Sequence, residues 1–182
     1  MNETINNLNI LEMSELVSVS DVCQAIQRAE MIMKISESVK RNFTELGKEG
    51  TIMQMRYREL IKGVEKYKNE IIRDYALLSM KRATALLSNL TFDGLLDTES
   101  IARLIMEKPL EESISPKGFR FLSHLTLTEK ESATVVKQFG NIEGILRATA
   151  AEFEPLLKNR ASKIHEEIRN LREQVLNGKV IC

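Results

Sequence analysis

The amino-acid sequence predicts an all-α protein, in which a long helical hairpin spine is followed by a smaller module of short helices. Apolar residues recur every three or four positions along most of the chain, which is the period of an amphipathic helix. Only 3 of the 182 residues are Pro and 8 are Gly, so long helices meet few interruptions. No segment alternates polar and apolar residues with period two, and we therefore expect no β-sheet.

The spine is predicted to contain two long helices joined at residues 47–50. Ser18 or Ser20 can cap the first helix, and Gly47 is expected to end it. Its apolar positions are Val22, Ile26, Ala29, Ile32, Ile35, Val39, Phe43 and Leu46. The second helix is predicted to continue, with a bend, to Leu87. Its apolar positions are Met53, Tyr57, Leu60, Val64, Tyr67, Ile71, Tyr75 and Leu78.

Two helices of this length cannot bury both apolar stripes against each other alone. The rest of this apolar surface must be buried by a short predicted helix over residues 2–13, by residues 77–106 or by a second subunit. The sequence leaves intramolecular cover and self-association open.

A turn at residues 91–94 and a short helix capped by Asp97 or Thr98 follow the spine. The apolar period then stops over residues 107–116, which hold two prolines and mark a boundary. The predicted domains are residues 1–108, a helical linker or spine, and residues 109–182.

The C-terminal domain is predicted to begin with a short helix paired with a longer one. The short helix covers residues 117–125 and leads into a turn at residues 126–127. Thr128 and Glu131 then form a capping box that starts the longer helix, and Gly140 is expected to end it. The positions expected to be buried are Ala133, Val135, Val136 and Phe139.

A connector helix over residues 142–148 precedes a second pair of helices. Thr149 and Glu152 form another capping box, and Asn159 is expected to cap the last helix. The apolar positions of this pair are Phe153, Leu156, Leu157, Ile164, Ile168, Leu171 and Val175, with Gly178 at the end. This outline is that of a tandem helix-hairpin-helix, a unit that grips nucleic-acid phosphates through backbone N–H groups at a helix start.

Charge and motifs favour a binding function over an enzymatic one. The net charge is zero, but from Ser113 onward 11 Lys and Arg residues oppose 8 Glu residues, a weak lean towards a polyanion. The chain contains no P-loop and no Gly-x-Ser-x-Gly motif. His124 and His165 lack partners at metal-ligand spacing, and Cys23 lies on an apolar helix face. We therefore expect no metal, no cofactor and no catalysis, in a cytoplasmic protein that does not span a membrane.

Several stretches in the same order resemble one family. They are Thr4–Asn9, Leu16–Val22, Ala29–Met31, Glu45–Gly50, Ser115–Leu122 and Val135–Gly140. Together they are similar to the linker and C-terminal domain of the DNA integrity scanning protein (DisA) family. The resemblance implies a tandem helix-hairpin-helix domain of the RuvA domain 2-like type, a role in DNA repair, and a cyclase domain that makes cyclic di-AMP.

In that family the cyclase domain precedes the linker and contributes Asp-Gly-Ala and Arg-His-Arg motifs. Neither motif occurs in these 182 residues, so we expect no cyclase activity from them. The chain would be either a C-terminal part or a naturally short protein.

The second hairpin departs from the family pattern, in which the turn contains glycines that let the backbone approach a phosphate. The corresponding residues 156–160 contain no Gly. Side chains of Lys158, Asn159, Arg160 and Lys163 could still contact phosphates, with Lys130 adding a contact from the first pair. The alternative is that these are solvated turn residues.

Two functions remain open at this point. The chain could bind duplex or branched DNA weakly through a degenerate helix-hairpin-helix domain carried on an oligomerising spine. Alternatively, the hairpins have lost DNA binding, and the chain is an interaction scaffold or regulator. It would then associate with itself or with a diadenylate cyclase through the apolar stripe of residues 53–78. Cations that converge on one face would favour DNA, whereas interleaved Glu side chains would favour the scaffold.

Overall fold

In the computed structural model, residues 17–43 and 47–176 are described, and they form two compact units, residues 17–114 and residues 115–176. Helices dominate both units, so the predicted all-α class is confirmed. The predicted helix over residues 2–13 and the predicted stop at Gly178 lie outside the described residues. None of the described helices has both the length and the apolar composition that a bilayer-spanning helix requires.

The first unit is a long helical hairpin with three shorter helices and one pair of very short strands. Its elements are β1 (Val17–Ser18), α1 (Val19–Phe43), α2 (Gly47–Tyr75), α3 (Met80–Asn89), α4 (Phe92–Leu96), α5 (Thr98–Ile105) and β2 (Ser113–Ile114). Caps fix two of the helix starts. The hydroxyl of Ser18 accepts from the Asp21 N–H at 3.1 Å, and the Asp97 carboxylate accepts from the Glu99 N–H at 3.1 Å.

The prediction of no β-sheet was wrong in one small detail. The strands β1 and β2 pair antiparallel, with Val17 opposite Ile114. Two residues per strand are too few to show any alternation in the sequence. The pairing continues into the start of α1, where the Val19 N–H donates to the Glu112 carbonyl at 2.9 Å. The segment before Ile114 therefore satisfies a helix N–H that has no partner within its own helix.

Two predicted helix boundaries were also wrong. Gly47 begins α2 instead of ending α1. The second long helix ends at Tyr75 and does not bend on to Leu87, because the chain leaves it and the Leu77 N–H donates to the Ile105 carbonyl at 3.0 Å. Residues 91–94 are likewise not an isolated turn but the capped start of α4.

The apolar stripes of α1 and α2 are buried only along part of their length. Val22 and Ile26 of α1, and Ile71 and Tyr75 of α2, are buried. Farther towards the junction of the two helices, the side chain of Ile35 is 50% exposed. The hairpin therefore has a packed base, and its outer part leaves apolar surface open.

A buried ion pair joins the two long helices. The ammonium group of Lys68 lies 2.5 Å from a carboxylate oxygen of Glu30, and the two side chains are only 2% and 5% exposed. Such a pair contributes little net stability, because both charges are removed from water, but an unpaired member would be very costly.

The second unit contains two short-long helix pairs. Its elements are α6 (Phe119–Ser123), α7 (Glu129–Phe139), α8 (Ile142–Arg147), α9 (Ala150–Leu157), a 3-10 turn (Lys158–Arg160) and α10 (Ala161–Leu176). The pairs are α6 with α7 and α9 with α10, and α8 connects them. At Gly144, a β-carbon would lie 2.4 Å from the Phe139 carbonyl oxygen, so only glycine permits α8 to pack this closely on the end of α7.

One apolar cluster holds the second unit together. It includes Phe121, Leu122, Leu125, Val135, Ile145, Phe153, Leu157, Ile164, Ile168 and Leu171. The rings of Phe139 and Phe153 pack with centroids 4.9 Å apart, which joins the two pairs. Ala133, which we predicted to be buried, is exposed, because the buried face of α7 runs through Ser132, Val135 and Val136.

The buried ion pair predicts a strongly non-additive mutant cycle. Glu30→Leu alone or Lys68→Met alone should lower the free energy of unfolding by about 3–5 kcal/mol, because each leaves one buried charge without its partner. The double variant should recover most of that loss. Urea denaturation of the four proteins measures the cycle, and additive losses would contradict it.

Candidate functional site

The turns of the two helix pairs lie next to each other. The first turn, residues 124–127, joins α6 to α7, and the second turn is the 3-10 turn Lys158–Arg160. The Arg160 guanidinium lies 2.7 Å from a carboxylate oxygen of Glu131. It also donates a hydrogen bond to the Thr126 carbonyl. One side chain of the second turn therefore holds both the backbone of the first turn and the helix that follows it.

A capping box starts α7, as predicted. The Glu131 N–H donates to the Thr128 hydroxyl at 3.3 Å, and the Thr128 N–H donates to the Glu131 carboxylate at 2.8 Å. Hydrogen bonds donated to the Glu131 carboxylate by the Thr128 N–H and the Thr128 hydroxyl, followed by the nearby charge of Arg160, hold the pKa of Glu131 below its usual value. The predicted capping box of Thr149 and Glu152 is also present, at the start of α9.

A second carboxylate, that of Glu167, accepts hydrogen bonds from two donors of the first turn. The Thr126 N–H donates to one oxygen of Glu167 at 2.9 Å, and the Thr126 hydroxyl donates to the other oxygen at 2.7 Å. Lys163, one helical turn away on α10, places its ammonium group 3.8 Å from the same carboxylate. Sequence reasoning missed this contact, because Thr126 and Glu167 are 41 residues apart and only the Lys163–Glu167 spacing hints at a pair.

The pKa of Glu167 is held below its usual value. Burial alone would raise this pKa. The hydrogen bonds from Thr126 outweigh it, together with the charges of Lys163 and Arg160. The surroundings of this carboxylate therefore favour a negative charge.

The second turn keeps a backbone conformation that glycine normally adopts. Lys158 has φ +51° and ψ −128°, a combination that costs a residue with a β-carbon about 1–3 kcal/mol. The prediction that Asn159 caps the last helix was wrong, because Asn159 lies inside the 3-10 turn and Arg160 directly precedes α10. The side chains of Lys158 and Asn159 are exposed.

The five predicted site residues divide into two groups. Lys130, Lys158, Asn159 and Lys163 are exposed around the two turns. The Arg160 side chain is partly covered and points at Glu131 and Thr126. Glu131 and Glu167 lie among these cations, so the surface here carries mixed charge.

The two histidines and Cys23 have separate surroundings in the described residues. His124 is exposed, and the partly buried His165 ring lies 6.4 Å from the Phe153 ring. Burial raises the pKa of the Cys23 thiol to about 12, which makes this thiol unreactive. In residues 17–43 and 47–176, no group of three His, Cys, Asp or Glu side chains could hold a metal ion.

Comparison with known proteins gives consistent matches over nearly all of the chain. Residues 1–110 match the family described as the DisA bacterial checkpoint controller linker region. The DNA integrity scanning protein DisA of Acetivibrio thermocellus is 33% identical over 184 residues, which cover 95% of this chain and 51% of that relative. DisA of Clostridium botulinum strain Alaska E43 is 33% identical over 190 residues, which cover 100% of this chain and 54% of that relative. The chain spans about half the length of the curated relatives it matches.

The capping box at the start of α7 predicts a specific acid sensitivity. Because the pKa of Glu131 is lower in the folded protein, its contribution is complete above about pH 4.5 and is lost as pH falls through the lowered value. Urea denaturation between about pH 6 and about pH 3 should show a smaller loss of stability for Glu131→Gln than for the parent.

Thr128→Val is the companion variant, since it removes the hydroxyl donor and leaves the backbone donor in place. Thr128→Val should reduce the pH dependence of the free energy of unfolding, but by a smaller amount than Glu131→Gln does. Identical acid dependence in all three proteins would contradict the assignment.

Proposed function

The chain belongs to the DisA linker family, and we propose that its C-terminal unit binds the phosphate backbone of DNA through the two adjacent hairpin turns. The observation that carries the proposal is the exposure of Lys130, Lys158, Asn159 and Lys163 around these turns. The names of the relatives point to DNA, and these side chains offer the donors and charges that phosphate oxygens accept.

Weak binding without sequence preference is the form that this surface supports. Lys and Asn side chains on a turn suit phosphate contacts, which position a protein on DNA but do not read bases. Lys158 and Lys163 flank the start of α10, where the positive end of the helix dipole adds to their attraction for an anion. With about 2–3 phosphate contacts, the logarithm of affinity should fall with the logarithm of salt concentration at a slope of about −2 to −3.

Arg160 has a different role in this proposal. Its guanidinium is engaged with Glu131 and the Thr126 carbonyl, so it fixes the spacing of the two turns. A DNA-binding defect in an Arg160 variant would therefore report a changed turn geometry and not a lost phosphate contact.

We propose binding alone for these residues, in the cytoplasm and without catalysis. The cyclase motifs named above do not occur in the 182 residues. Duplex and branched DNA share the phosphate chemistry that the turns would contact.

Lys158→Gly separates the binding role of the side chain from its structural cost. The variant should raise the free energy of unfolding by about 1 kcal/mol, because glycine tolerates the positive φ at this position. It should also weaken DNA binding about fivefold and reduce the magnitude of the salt slope by about 0.9, because one phosphate contact is lost. Gel-shift titrations at low salt with duplex and four-way-junction DNA, together with urea denaturation, measure both effects.

Lys137→Ala is the matched control, because Lys137 is an exposed cation in the last turn of α7. This substitution removes the same charge far along the helix from the first turn. It should leave affinity within about twofold of the parent. Equal losses in the two variants, or no binding by the parent at tens of micromolar protein, would overturn the proposal.

A second candidate function is self-association, or association with a diadenylate cyclase, through the outer part of the spine hairpin. Two observations favour it. Glu131 and Glu167 interleave the cations of the turns, and the α2 side chains Ile52 and Met55 are 59% and 63% exposed one helical turn apart. A partner would remove this apolar surface from water.

Light scattering tests the self-association. Under this second function the parent should scatter as an oligomer, and Ile52→Ser with Met55→Ser should shift it towards the monomer mass. Leu96→Ser removes an equally exposed apolar side chain from α4 and should have no effect. A monomeric parent would contradict self-association.

A further inference from the structure

The Glu167 carboxylate occupies a set of donors that is chemically suited to a phosphate. Its two oxygens accept from the N–H and the hydroxyl of Thr126, at 2.9 and 2.7 Å. A tetrahedral phosphate can present two oxygens to the same pair of donors, as a carboxylate does here.

Positive groups complete the surroundings of this carboxylate. The Lys163 ammonium group is 3.8 Å from Glu167, and the Arg160 guanidinium donates to the carbonyl of Thr126, the residue that binds Glu167. Both charges favour the ionised form of Glu167. The anion thus has backbone, hydroxyl and cationic partners drawn from both helix pairs.

The consequence for nucleic acid is a direct competition. A phosphate oxygen cannot bind the Thr126 donors while Glu167 fills them, and the fixed negative charge repels an approaching phosphate. Lys163 is also partly neutralised by the same carboxylate. The Thr126 donors of the first turn are therefore closed to phosphate by a side chain that belongs to the second helix pair.

We infer that the Glu167 carboxylate occupies a phosphate-binding site and thereby inhibits DNA binding there. The site is made by the donors of Thr126, with Lys163 and Arg160 beside it. This inference rests on the proposed DNA-binding function and deepens it. Binding in the parent comes from the exposed side chains around the two turns, and removal of the Glu167 carboxylate adds a phosphate contact at the Thr126 donors.

Glu167→Ala tests the inference in the full chain, with Glu166→Ala as the matched control. The two variants lose the same charge at neighbouring positions of α10, and Glu166 is exposed. Glu167→Ala should bind duplex DNA about tenfold more tightly than the parent, with a salt slope steeper by about 0.9. Glu166→Ala should change affinity by about twofold or less.

A second measurement uses inorganic phosphate as the probe and does not depend on DNA binding. In Glu167→Ala, the amide NMR signal of Thr126 should move on addition of phosphate, while in the parent and in Glu166→Ala it should stay in place. Glu167→Gln, which keeps an acceptor but loses the charge, should respond less than Glu167→Ala. It also serves as the test variant if the alanine protein does not fold.

The outcomes separate the two proposals. If the Thr126 signal moves with phosphate only when Glu167 is replaced, the closed anion site is supported. If none of the proteins binds DNA in the same experiments, the proposed DNA-binding function is wrong while the anion site still stands. Equal DNA affinities for the Glu166 and Glu167 variants, with a Thr126 signal that does not move on addition of phosphate in either, would overturn the inference. DNA binding by the exposed side chains around the turns would then still stand.

Discussion

The contact between the two hairpin turns is the constraint on which the surface of the C-terminal unit depends. The buried apolar cluster packs the helices together, and polar contacts join the two turns at the surface. Arg160 makes the central contact because its planar guanidinium can hold the Glu131 carboxylate and the Thr126 carbonyl at once, which a single ammonium group does less well. Glu167 of α10 adds a second contact, because its carboxylate accepts hydrogen bonds from Thr126 in the first turn. The spacing of the turns, and with it the arrangement of the exposed cations, follows from these polar contacts.

The same contacts explain why the surface around the two turns carries mixed charge. Glu131 is needed to start α7 through its capping box, and Glu167 is needed by the Thr126 N–H. Each carboxylate therefore has a structural task that places it among the lysines. In the second turn, which has no glycine, Lys158 adopts a positive φ that favours glycine. The turn therefore keeps a charged side chain at a cost in backbone strain.

Sequence patterns correctly predicted the features that depend on residues close together in the chain. The capping boxes at Thr128 and Thr149 were correct, because cap and acceptor lie three residues apart. Features that depend on distant partners were missed. The α2 helix ends at Tyr75 because the next residues bond to α5, and Glu167 meets a turn 41 residues away. Of the candidate site, the residue types and their location at or beside the turns were predictable, but the contacts of Arg160 with Glu131 and Thr126 were not.

The ion pair between Glu30 and Lys68 has a mechanical consequence for the long hairpin. If α1 slid along α2 by one helical turn, about 5.4 Å, both charges would be separated inside a dry interface. Apolar side chains alone could exchange neighbours during such a shift at modest cost, but these two charges cannot. The pair therefore acts as a pin against axial slippage and keeps the two helices in a single register.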